Sequence, residues 1–136
     1  MDWKLEVIVV PVSDVDRAKA FYVDRLGFGL DVDYRAGEEF RVVQLTPPGS
    51  ACSITLMKNT DAAGSLGGLQ LVVIDIEAAR AELLERGAAV SEFFHFTDGR
   101  QEPGLDPRRA RYGSFFSFSD PDGTRWLVQE VSPTGS

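Results

Sequence analysis

At 136 residues, 43% of them hydrophobic, the chain suffices for one domain with a sizeable core and leaves no room for two independent ones. Its 21 acidic residues against 14 basic give a formal charge of −7, which argues against a basic face for nucleic acid. No apolar run approaches the roughly 18 residues of a membrane span, Met-Asp-Trp-Lys opens no apolar signal segment, and a lone Cys52 excludes an internal disulfide or a multi-cysteine zinc cluster, so a cytoplasmic protein is expected.

The first element in the chain is the β-branched run Val7-Ile8-Val9-Val10 within Val7–Val12, the pattern of a strand buried on both faces. Ser13 or Asp14 then caps a helix whose positions Val15, Ala18, Tyr22 and Leu26 form one apolar face. Gly27 suits a left-handed helix stop. Strands are predicted at Gly29–Tyr34, Phe40–Thr46 and Ser53–Lys58, with Pro47-Pro48-Gly49 as a turn. A linker, Asn59–Gly67, follows. The second half runs through an apolar stretch at Leu69–Ile74, a helix with Ile76, Ala79 and Leu83 on one face, and a stop at Gly87. Strands are predicted again at Ala89–Phe94, Ser114–Ser119 and Arg125–Val131, the last two joined by the turn Asp120-Pro121-Asp122-Gly123. Between them Thr97–Gly113, about 17 residues with two prolines, three glycines and four arginines, has the length of a lid or binding loop.

The two halves are copies. DVDRAKAFYVDR (Asp14–Arg25) aligns with DIEAARAELLER (Asp75–Arg86) at an offset of 61, with identities at Asp14/Asp75, Ala18/Ala79, Ala20/Ala81 and Arg25/Arg86. One residue later the register slips, bringing Gly27 opposite Gly87. The order is therefore strand–helix–strand–strand–strand, twice.

PVSDVDRAKAFYVDRLGF (Pro11–Phe28) and FSDPDGTRWLVQE (Phe118–Glu130), supported by VIDIEAARAELLERG (Val73–Gly87), carry a resemblance to the vicinal oxygen chelate superfamily. Its members include glyoxalases, extradiol dioxygenases, fosfomycin-modifying enzymes and bleomycin-binding proteins. The resemblance spans nearly the whole chain and implies an α+β fold of two tandem βαβββ modules, about 3–60 and about 67–131, in one glyoxalase-like domain with curved sheets enclosing a cavity. It also implies a homodimer, with the pocket at or near the module junction.

Enzymes of that superfamily hold a divalent metal on four inward positions. Carried over, these fall on Val7, Thr55, Gly68 and Leu127, and Val7 and Gly68 stand 61 apart like the repeat itself. Valine, glycine and leucine have no donor, a threonine hydroxyl is a poor one, and His95 is the only histidine. No metal and no cofactor are expected. Alternation along the strands turns Val9, Ser53, Met57, Gln70 and Gln129 inward as well, and Cys52, Ile54, Trp126 and Val128 toward the helices. The expected ligand site is Val7, Val9, Ser53, Thr55, Gly68, Gln70, His95, Tyr112, Leu127 and Gln129, an apolar wall with a few neutral hydrogen-bonding groups.

The function this implies is a metal-free protein that sequesters a small hydrophobic or aromatic molecule, such as an antibiotic, with no nucleic-acid or membrane partner. The alternative is a glyoxalase-like lyase or isomerase that uses His95 as acid and base, or an atypical metal site. A third reading is a degenerate module that serves only as a dimer scaffold. Several residues have plainer roles. Cys52 reads as packed and inert, DPDG as a turn rather than a calcium loop, and Glu130 as a solvated surface carboxylate. Arg100, Arg108, Arg109 and Arg111 read as loop charges pairing with Glu102 and Asp106, the alternative being a bidentate grip on a ligand carboxylate or phosphate. Asp31, Asp33, Glu38 and Glu39 form an acidic patch, read either as solvated edge charges or as an attraction for a cationic ligand over distance. The dense aromatics Phe93, Phe94, Phe96, Tyr112, Phe115, Phe116 and Phe118 divide between core packing and stacking on a flat ligand.

Overall fold

In the computed structural model, which describes residues 1–131, the β-branched run forms β1 (Val7–Val12). It lies parallel to β4 (Ser53–Lys58), with Val7 opposite Ser53 and Val9 opposite Thr55. β2 (Gly29–Ala36) and β3 (Phe40–Thr46) complete an open sheet in the order β1-β4-β3-β2. These elements form one compact unit, Met1–Leu66 together with the turn Asp120–Thr124. Val10, Val12, Val43, Leu45 and Leu56 are fully buried on the face that meets Val15, Ala18, Tyr22 and Leu26 of the helix. Each buried side chain of this size contributes about 1.5–3 kcal/mol.

The helix of this unit is α1 (Val15–Ala20), continued by a π-helical turn over Phe21–Arg25. Asp14, not Ser13, is the N-cap, accepting from the Arg17 N–H at 3.1 Å. Ser13 instead donates its backbone N–H to Asp122 at 3.0 Å. The π turn explains the slip in the repeat. In the second unit, α2 (Ile76–Glu85) ends with the Gly87 N–H on the Leu84 carbonyl and the Ala88 N–H on the Leu83 carbonyl, the paired bonds of a Schellman stop. In the first, the Gly27 N–H reaches Val23 and the Phe28 N–H reaches Tyr22, each bond spanning one residue more. The extra residue is absorbed by widening the helix. Gly27 and Gly87, at φ 73° and 86°, adopt the left-handed geometry expected of them.

The second unit comprises Gly67–Ser119 and the chain from Arg125. Its sheet has the order β5-β9-β8-β6-β7. The strands are β5 (Leu69–Val73), β6 (Phe94–Thr97), β7 (Arg100–Pro103), β8 (Phe115–Ser119) and β9 (Arg125–Glu130). β5 runs parallel to β9, and Ile76, Leu83, Trp126, Val128, Phe116 and Phe118 are buried.

Two expectations are corrected here. No strand forms over 89–93. The Ser91 N–H donates to the Ser117 carbonyl and the Ser91 hydroxyl accepts the Ser117 N–H, both at 2.8 Å, so a side chain replaces a backbone partner and pairing starts only at Phe94. The stretch 97–113 is not one open lid. Asp98-Gly99, both with positive φ, turn β6 into β7 as a hairpin. The remainder is folded back: the Asp106 carboxylate accepts the Arg108 and Ala110 N–H groups, and the Asp106 N–H donates to the Ser114 hydroxyl at 2.9 Å.

Candidate functional site

In the first unit, register and burial separate the two faces of the sheet. Opposite the helix lie Val7 and Val9 of β1, Ser53, Thr55 and Met57 of β4, Gln44 and Val42 of β3, and Val32 and Tyr34 of β2. Four of the expected ligand residues, Val7, Val9, Ser53 and Thr55, thus share one face. Val7, Val9, Val32, Tyr34 and Phe40 are 37–55% exposed there, an unusual concentration of accessible apolar side chains. The predicted turning of Ile54 to the helix side holds, at 4% exposure. Val32, Tyr34, Phe40, Asp31 and Thr46 were not anticipated as site residues, although alternation along Phe40, Val42, Gln44 and Thr46 was the available signal.

In the second unit, Gln70 pairs with Leu127, Val72 with Gln129, and Gln129 with Phe115. Gln70, Leu127 and Gln129 therefore share the face away from α2, with Gly68 just before β5. The Gln70 amide donates to the Gln129 carbonyl oxygen, and the Gln129 amide donates to the Tyr112 backbone carbonyl at 2.9 Å. Phe94 and Phe115 stack on this face at 5.6 Å, with Phe96 edge-on to Phe115 at 5.3 Å. The aromatics left open by the sequence thus divide, with Phe93, Phe116 and Phe118 on the opposite side. Tyr112 is half exposed at φ 61°, a left-handed conformation rare for a bulky residue. Arg111 lies over its ring at 5.6 Å.

His95 is placed differently. Its strand neighbour Phe94 is on the face shared with Phe115, so His95 points to the other side. It is buried, with Nδ1 2.8 Å from the Gly104 carbonyl oxygen.

Glu130 is a correction. It is not a surface carboxylate but only 2% exposed. It accepts from Arg109 Nε at 3.0 Å and Nη2 at 2.7 Å, and from the Ile76 N–H at 3.1 Å. Arg109 also reaches Glu77 at 3.0 Å, so it pairs with neither Glu102 nor Asp106. The Arg109 guanidinium, aided by the Ile76 N–H, holds the Glu130 carboxyl below its ordinary value against the opposing effect of burial. Asp33 likewise sits well below the usual carboxylate range because Arg41 and Lys19 bind it on the helix side, which leaves Asp31 as the acidic group of β2 facing the other way.

The four positions where related enzymes carry metal ligands offer one neutral oxygen, the Thr55 hydroxyl, a donor set that does not fit a divalent ion. Among the described residues no group of three or more His, Cys, Asp or Glu side chains is arranged to hold one. No helix is long and apolar enough to cross a membrane.

Two strand–helix–strand copies, βαβββ in the first unit and carrying one further strand, β7, in the second, each an open sheet backed by one helix, define the class, and the sequence agrees. Residues 4–128 match the Glyoxalase/Bleomycin resistance protein/Dioxygenase superfamily, and the chain belongs to it. Among solved structures it is similar to TnmS3, an antibiotic binding protein from Streptomyces sp. CB03234, at 35% identity and a TM-score of 0.74, covering 96% of this chain and 98% of that one. A glyoxalase/bleomycin resistance protein from the same Streptomyces strain is 36% identical at a TM-score of 0.70, covering 93% and 100%. The protein YetH of Bacillus subtilis is 22% identical over 127 residues, 93% of this chain and 98% of its own.

Proposed function

We propose that the protein binds a small hydrophobic or aromatic molecule without metal, as an antibiotic-sequestering member of its superfamily. The observation that carries this reading is the face of the first sheet, where five accessible apolar side chains surround Ser53, Thr55 and Gln44. Apolar walls with sparse neutral polar groups suit capture and orientation of a ligand. The likeness to an antibiotic binding protein at 35% identity supports it. Val7, Val9, Ser53 and Thr55 supply the contacts on this face, and Gly68, Gln70, Tyr112, Leu127 and Gln129 form a candidate face of their own in the second unit.

A homodimer is part of this proposal. β1 and β5 are edge strands. Val72 on β5, at 58% exposure, and Trp3 and Leu5 ahead of β1 leave apolar area that a second copy would cover. Sedimentation velocity is expected to give twice the chain mass.

The functional test is calorimetric titration and thermal shift with bleomycin and a panel of planar aromatic antibiotics. Saturable binding that survives exhaustive chelation, and is unchanged in kind by His95→Ala, is the expected result. Turnover of a bound compound that His95→Ala abolishes would replace this reading with the lyase or isomerase one.

A further inference from the structure

The face of the first sheet is chemically graded, and the gradient names a ligand class. β2 and β3 lose register between Leu30 and Val32, so Asp31 is an extra residue bulged out of the ladder. Bulges re-aim side chains. Here the Asp31 carboxylate accepts the hydroxyl proton of Thr46, and Thr46 Oγ1 lies 2.6 Å from Ser53 Oγ. A hydroxyl has a single proton. That of Thr46 goes to Asp31, so Ser53 must donate to Thr46. Both hydroxyl protons are committed within the chain, and what Asp31, Thr46 and Ser53 leave outward is acceptor lone pairs. Beside them Thr55, 8% exposed on the same face, has a hydroxyl without a side-chain hydrogen-bond partner among the described residues.

The register sets the spacing. Ser53 pairs with Val7 at the acceptor end; next come Val32, Gln44, Thr55 and Val9; beyond these lie Tyr34 and Val42, then Phe40. Successive rows are two residues, about 7 Å, apart, which puts the acceptor end about 13 Å from Tyr34. The Tyr34 and Phe40 rings meet edge to face at 6.4 Å, and both are about half exposed.

We propose that this face takes a cationic aromatic amphiphile, with a protonated amine or amidine on Asp31 and Ser53 and a ring system on Tyr34 and Phe40. This rests on the ligand-binding reading above and adds the charge and the polarity of the ligand. An acceptor-only end rewards a group that brings donors alone, and a chain of formal charge −7 attracts a cation from a distance.

The test uses two fluorophores that differ at one terminus, dansylcadaverine with its ammonium and N-pentyl dansylamide with a methyl group, each titrated at low salt. The expected result is that dansylcadaverine binds about tenfold more tightly, and that Asp31→Asn removes most of this preference without weakening the neutral probe. Thr46→Val, which breaks the chain elsewhere, is expected to reduce the preference too, while Glu39→Gln leaves it intact. Melting curves establish that each variant is folded. Equal affinities that Asp31→Asn and Thr46→Val do not change would overturn this inference and leave the ligand-binding reading standing. No saturable binding of either probe up to about 1 mM would overturn both.

Discussion

Arg109→Ala removes two of the three hydrogen bonds that satisfy a carboxylate only 2% exposed. What stays at Glu130 is the Ile76 N–H alone. Breaking a buried ion pair in this way costs about 3–5 kcal/mol, and because the Arg109 side chain is 40% exposed, water already screens part of the interaction and the lower figure applies. The loss depends on pH, with a definite sign. In the wild type the Glu130 carboxyl is held below its ordinary value of 4.5, so its contribution is complete above that pH and fades as pH falls through the lower folded value. In the variant burial dominates and raises the carboxyl, so stability declines as pH climbs past the ordinary value. The difference between the two proteins is therefore about 3 kcal/mol at pH 7 and smaller at pH 3. Urea unfolding followed by the emission of Trp126, buried against Phe118 at 5.8 Å, measures it. A loss under about 1 kcal/mol at pH 7, or the same loss at both pH values, would refute the buried-pair account.

Three further substitutions probe other junctions of the fold. Tyr22→Phe deletes the 2.8 Å bond from the tyrosine hydroxyl to buried Asp120 and is expected to cost about 1.5–3 kcal/mol by urea unfolding, the range for a bond to a charged group. Thr124→Val replaces a buried hydroxyl that has no partner among the described residues by an isosteric methyl; stability is expected to hold or to rise by about 1 kcal/mol in the same assay. Tyr112→Gly relieves a left-handed backbone at a half-exposed position, so stability is expected to rise by about 0.5–1 kcal/mol, while ligand affinity falls if the ring contributes contacts.

The repeated strand–helix–strand order was legible because each of its signals is local. β-branched runs, an aspartate before each helix and a glycine after it require no knowledge of the partner. Phe40–Thr46 and Ser53–Lys58 form with the predicted limits for that reason. The strand expected over 89–93 does not form because of a distant event, the capture of the Ser117 N–H by the Ser91 hydroxyl. Glu130 was misread because its parity correctly turned it away from Gln129, yet parity is silent on whether the opposite face meets water or a packed helix. There it meets Ile76 and Arg109. The grouping of Val7, Val9, Ser53 and Thr55 followed from alternation. The Asp31–Thr46–Ser53 chain did not, since it depends on a bulge that period-two reasoning cannot anticipate.

Amide chemical-shift mapping of the ¹⁵N-labelled protein, titrated with whichever antibiotic gives the largest thermal shift, tests the central claim most directly. The account predicts saturable perturbations concentrated at Val7, Val9, Ser53 and Thr55 of the first sheet, with the helix-facing Val10 and Leu56 quiet. Perturbations confined to the helices, or none at saturating thermal shift, would contradict it.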